Sequence, residues 1–230
     1  MINNGIMKKI FTVWFSLIVM GISAQETASP DYALIQKNIK DKSSRYYYTH
    51  LCERYARADT SMTLDETRHL YYGYAFTNTM VNKAVMDETQ ASLKTILQKT
   101  NPDAADLQKV VEYTGILLQA SPFSITIKEY RVYCLKELGR FAEAKTERAQ
   151  TDMLIDAILS SGDGTTKQNS IHVVNTGNEY EVATLMGFEP REATLGVHDM
   201  YDYIAVKKNN YNISGLYFEV AAGKKELTGL

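Results

Sequence analysis

Residues 157–174 read Ala157-Ile158-Leu159-Ser160-Ser161-Gly162-Asp163-Gly164-Thr165-Thr166-Lys167-Gln168-Asn169-Ser170-Ile171-His172-Val173-Val174, and the chain changes character inside them. Upstream, apolar residues recur at spacings of three and four, the signature of amphipathic helices. Downstream, short β-branched runs separated by turn residues predict strands. The polar, glycine-containing stretch between them is a helix-ending turn. This switch predicts an α+β chain: a helical N-terminal body over 25–160, then a small, mainly antiparallel β unit over 161–230 packed on it.

Working back from the switch, one helix precedes Leu159 and begins after Leu138-Gly139-Arg140-Phe141-Ala142-Glu143-Ala144. A glycine between two helices, followed by an aromatic and, three positions later, a small residue, resembles the inter-helix turn of a tetratricopeptide repeat. Gly139 lets the backbone turn, Ala144 lets the helices approach, and Pro122 matches the proline closing such a repeat. Arg131 and Val132 replace the repeat's usual Leu-Gly pair. The expectation is one repeat-like hairpin, with helices over about 104–119, 124–138 and 141–159. Further upstream, Tyr47, Tyr48, Leu51, Cys52 and Tyr55 form one stripe over 44–58. Thr63 and Glu66 form a capping box opening a helix through Leu70-Tyr71-Tyr72-Gly73-Tyr74-Ala75-Phe76. Residues 78–86 read as a connector, and another helix is predicted over 87–98.

Forward of the switch, Ile171 to Val174 reads as a strand and 178–186 as a short helix closed by Gly187. Tyr201 to Lys207 and Ile213 to Val220 form a hairpin around Asn209-Asn210, with a further strand near 194–197.

The beginning of the chain reads as an address. Lys8 and Lys9 precede an apolar run from Ile10 to Ile22 and then Ser23-Ala24, the pattern of a secretory signal peptide over 1–24 cleaved after Ala24. The run falls short of the roughly 20 residues a membrane span needs, so no membrane insertion is expected after cleavage. Periplasmic or secreted localisation follows. Export would permit a disulfide between Cys52 and Cys134; both lie in apolar helical stripes, where a free cysteine packs as a small hydrophobe.

Composition narrows the function. With 25 Lys+Arg, 27 Asp+Glu and a net charge of −2, there is no field for nucleic acid. Sixteen tyrosines give rings with polar tips, suited to packing below a surface and to carbohydrate or peptide binding. His-Glu-x-x-His, Cys-x-x-Cys, Gly-x-Ser-x-Gly and Gly-x-Gly-x-x-Gly are all missing from the sequence, so no cofactor and no metal is expected.

Two places remain as candidate sites. Arg68, His69 and Tyr72 fall within about one turn of the capping-box helix and would line a binding groove. His172, just past the polar turn, would meet Asp163 folded back toward it. Such a pair can serve as a general base or as a structural hydrogen bond.

The set Tyr46-Tyr47-Tyr48, Leu51, Arg54-Tyr55, Leu70-Tyr71-Tyr72-Gly73, Ala157 to Gly164, His172-Val173 and Gly215-Leu216-Tyr217-Phe218 resembles a family of exported Bacteroidetes proteins of unknown function, of the DUF4919 type. The resemblance implies a Gram-negative envelope location and carries no activity or catalytic residue. The leading expectation is a periplasmic binding or scaffold module whose partner is an envelope protein, a peptide or a glycan. The alternative is an envelope hydrolase using His172 and Asp163 at the junction.

Overall fold

Local signals start most of the helices. In the computed structural model, which describes residues 27–77, 82–191, 195–198 and 201–221, Asp31, Thr63, Asn82, Asp103, Ser124 and Asn175 each cap a helix by accepting a backbone N–H. Each satisfies a donor that the first helical turn leaves without an intrahelical partner. The signal peptide expected over 1–24, with Lys8 and Lys9, lies outside the described residues. Among the described residues no helix is long and apolar enough to cross a membrane.

The fold is α+β. Its elements are α1 (Tyr32–Lys40), α2 (Tyr48–Ala56), α3 (Leu64–Gly73) with a 3₁₀ turn (Tyr74–Phe76), α4 (Lys83–Leu97), α5 (Ala104–Ala120), α6 (Ile125–Glu137), α7 (Phe141–Leu159), β1 (Ile171–Val173), α8 (Thr176–Leu185), β2 (Leu195–His198), β3 (Tyr201–Ala205) and β4 (Gly215–Val220).

The described residues group into two compact units, and the grouping differs from a division at residue 160: those within 82–151 form one, and those within 27–77 and 152–221 form the other. The reason lies in the second unit's own contacts. Tyr71 on α3 is fully buried; its hydroxyl donates to Asn178 Oδ1 (2.8 Å) and accepts from the Val174 N–H (3.2 Å). Tyr72 donates to the Ala157 carbonyl at 3.1 Å.

The continuous unit is helical. Its core joins Leu93, Ile96 and Leu97 of α4, Val110, Val111 and Leu117 of α5, Cys134 and Leu135 of α6, and Ala144 of α7. At the turn before α7, Gly139 has φ +72°, Ala144 is buried and Phe141 is largely exposed. Polar groups below the surface are paired. The Lys128 ammonium donates to Glu147 (3.0 Å) and Gln150 (2.8 Å), and Arg148 grips Glu129 with two bonds.

In the discontinuous unit, α3 packs against α1 and α2. Its four-stranded mixed sheet has the order β1-β4-β3-β2. The β3–β4 hairpin is antiparallel, as alternation predicts, while β1 joins β4 in parallel with His172 opposite Glu219. Helix α8 supplies the crossover that a parallel neighbour requires. Cys52 belongs to this unit and Cys134 to the other, and both are free thiols.

Three elements depart from the sequence reading, one being α4, which starts at Lys83 inside the connector expected over 78–86. Helix α1 was not foreseen, and residues 44–47 form turns leading into α2 instead of its first turn. Tyr47 accordingly sits half-buried at the N-cap, while Leu51 and Tyr55 are buried along the stripe.

Candidate functional site

Alternation along β4 sends Leu216, Phe218 and Val220 to a fully buried face and Tyr217 and Glu219 to the opposite, half-buried one. Side chains two apart on a strand share a face. Register then extends the second face: Tyr203 of β3 stands opposite Tyr217 and His172 of β1 opposite Glu219, and Tyr201 precedes Tyr203 by two. The result is a row of tyrosines ending in a carboxylate and an imidazole. The Tyr203 and Tyr217 rings have centroids 4.9 Å apart, tilted by 53°. The tip of Tyr203 reaches over Gly215, where any Cβ would come within 2.4 Å of its Cζ and 2.7 Å of the Ile204 carbonyl oxygen. Glycine is therefore required at 215 to seat that ring.

His172 closes the row from below. Its ring is buried, with the Tyr32 hydroxyl 3.2 Å from Nδ1 and Glu219 Oε2 3.9 Å from Nε2. One neutral tautomer suits both contacts: Tyr32 donates to Nδ1, and the Nε2–H faces the carboxylate. Burial, aided by the positive charge of Arg68, lowers the His172 pKa to about 4, because both disfavour the imidazolium.

Asp163 is elsewhere. It is exposed, accepts from the Thr165 N–H (2.8 Å), the Thr165 hydroxyl (2.7 Å) and the Asn169 amide (2.9 Å), and so organises its own loop. The loop's contact with His172 comes instead through Ser161, whose hydroxyl accepts from the His172 N–H at 2.9 Å while donating to the Ile158 carbonyl. Ser160 likewise donates to the Ala157 carbonyl. Neither serine is aligned on the His172 ring as a nucleophile would be.

Arg68 and Tyr72 share one side of α3, and His69 occupies another. Arg68 donates to the Ser160 hydroxyl and the Ala28 carbonyl, both at 2.6 Å, and its guanidinium lies 5.6 Å from the Tyr72 ring centre. Tyr72 is fully buried, and burial pushes its pKa up to about 12. His69 is also buried; it stacks on Tyr46 at 3.8 Å and has Asn38 Nδ2 at 3.0 Å and the Asp65 carbonyl at 2.8 Å. These three residues fasten α3 to its surroundings and do not line a common groove. Among the described residues no group of three or more His, Cys, Asp or Glu side chains is placed to hold a metal ion.

Tyr32, Glu219, Tyr203 and Tyr217 were not singled out from the sequence. The Tyr-x-Tyr spacing at 201–203 and the Tyr-x-Glu spacing at 217–219 carry that signal, since period two puts each pair on one face.

An α+β chain with a tyrosine-faced mixed sheet is thus defined by geometry before any comparison. A family model described as "Domain of unknown function (DUF4919)" matches residues 33–228, and the chain belongs to that family. No curated protein and no solved structure matches it.

Proposed function

We propose that the protein is an exported envelope binding module that holds a glycan on the sheet face carrying Tyr201, Tyr203, Tyr217 and Glu219. The single observation carrying this reading is the half-buried tyrosine row on a sheet whose other face buries Ile171, Val173, Ile204, Leu216, Phe218 and Val220. Tyrosine rings offer a flat apolar surface to sugar C–H groups while their hydroxyls stay wet. Glu219, on the same face, supplies an acceptor for ligand hydroxyls. Periplasmic location rests on the signal-like pattern of residues 1–24. The alternative, a hydrolase using His172 and Asp163, has no observation in its favour, because the Asp163 carboxylate is bound within its own loop.

The test is saturation-transfer NMR of the mature chain with a panel of envelope-type oligosaccharides and peptides. Transfer to a saccharide that disappears in Tyr203→Ala/Tyr217→Ala, with unchanged circular dichroism, is the expected result. Absence of transfer to every saccharide, or transfer that persists in the double variant, would overturn the reading.

A further inference from the structure

The tyrosine row ends at Gly215, and beside that end lies an open surface pocket of about 370 Å³ whose lining includes Arg191, Lys207, Lys208, Asn209, Asn212 and Ser214. Its walls are fixed by backbone bonds. Arg191 N–H donates to the Ala205 carbonyl, Lys207 N–H to the Glu189 carbonyl and Val206 N–H to the Ser214 carbonyl, at 2.8, 2.8 and 2.9 Å. The rim is built around one side chain. Asn209 accepts from the Tyr211 and Ile213 N–H groups (3.1 and 3.2 Å) and donates to the Lys207 and Ile213 carbonyls (3.0 and 2.7 Å). Asn212 holds a left-handed conformation, φ +55°, which Asn tolerates better than most residues.

Among the described residues the charge lining this pocket is mostly positive. Lys207 pairs with Glu189. Among the described residues, neither Arg191 nor Lys208 has a carboxylate within ion-pair distance. Among the described residues the two thus add positive charge at a preformed concavity, in a chain whose net charge is −2. The pocket also communicates with the tyrosine row: the Arg191 charge acts on the Tyr203 phenol, opposing the effect of burial there.

We propose that this pocket is an oxyanion subsite, and that the ligand on the tyrosine face is an acidic saccharide whose carboxylate or sulfate sits between Arg191 and Lys208. This rests on the glycan reading above. A planar guanidinium meets an oxyanion side-on through two N–H donors, and the lysine adds a point charge. Asn209 and Asn212 keep the loop in the receiving shape, so little ordering is required on binding.

Three probes separate the possibilities: trigalacturonate, its methyl ester, and inorganic sulfate, each titrated into the mature chain and followed by amide NMR and calorimetry. The expected result is at least about tenfold tighter binding of the acid than of its ester, a preference that shrinks at high salt. Arg191→Ala/Lys208→Ala should abolish that preference while retaining the ester's affinity and the melting temperature. Sulfate alone should shift the amides of 207–214 in the parent chain and not in this variant. Equal affinity for acid and ester, a preference surviving in the double variant, or no sulfate-dependent shifts would each overturn the subsite. Binding of neither saccharide, with sulfate shifts still present, would instead overturn the glycan reading and leave the oxyanion site standing.

Discussion

The Tyr32 hydroxyl and Nδ1 of His172 lie 3.2 Å apart, a contact joining residues 140 positions distant within one unit. It ties the start of α1 to the edge strand β1. Ala28 adds to it, donating its N–H to the Ser160 carbonyl and accepting from Arg68. Because Tyr32 donates to the ring, the contact favours neutral His172 and weakens when that ring takes a proton.

The first prediction concerns pH. The pKa of His172 falls from 6.5 to about 4 on folding, so between those values the unfolded chain binds the extra proton and stability rises with pH. The contribution is fully present above about pH 6.5 and is lost progressively down to about pH 4; it amounts to about 3 kcal/mol at most. Urea midpoints of the parent and His172→Gln at pH 7 and pH 4 measure it, and the variant should show the smaller drop.

Ala58 has φ +50° directly after α2. Its N–H bonds the Tyr55 carbonyl and that of Asp59 bonds the Arg54 carbonyl, a helix ending that favours glycine. Ala58→Gly should stabilise the protein by about 1 kcal/mol, since the left-handed conformation costs an L-residue roughly that much. A thermal melt showing no gain would contradict this.

Tyr71→Phe keeps the buried ring and deletes a hydroxyl that serves both Asn178 and the Val174 N–H. The expected loss is about 1 to 3 kcal/mol, the cost of leaving buried partners unsatisfied. Chemical denaturation reads it directly, and a loss below about 0.5 kcal/mol would place water there instead.

Glu147 accepts from both Lys128 and Arg131. Glu147→Gln removes the carboxylate from beside a buried ammonium and should cost about 3 kcal/mol. Lys128→Met should cost about 1 to 2 kcal/mol, less than Glu147→Gln, because Glu147 keeps Arg131 while the buried Gln150 carbonyl loses this donor. Denaturation midpoints of the two variants should therefore differ in that order.

Most of the helical layout was legible because its determinants are local. Thr63 with Glu66, Asp103 and Ser124 announce helix starts within four residues, and the apolar stripes follow. Helix α1 was missed because nine residues carry only Ile35 and Ile39 as buried apolar positions, too few for periodicity to stand out. The start of α4 at Lys83 fell within an expected connector for the same reason, with exposed residues filling its first turn. For the site, nearness in sequence misled. Asp163 lies nine residues from His172 yet turns into its own loop, whereas the contacts of the ring come from Tyr32 and Glu219. Only strand pairing and the return of α1 create those contacts, and neither leaves a local spacing to read.

The arrangement of the two units bears on the order in which the chain can assemble. Residues 82–151 are continuous, so every partner in that core is available once the start of α7 has been synthesised. The other unit must wait: α1, α2 and α3 are made first, but Asn178 and the β4 strand that pairs with β1 arrive only after the intervening unit has passed. In the language of domain insertion, the helical unit is a guest in a host whose two halves meet late. A chain terminated at residue 160 would carry α1 to α7 and still leave Tyr71 without Asn178, so the host could not close.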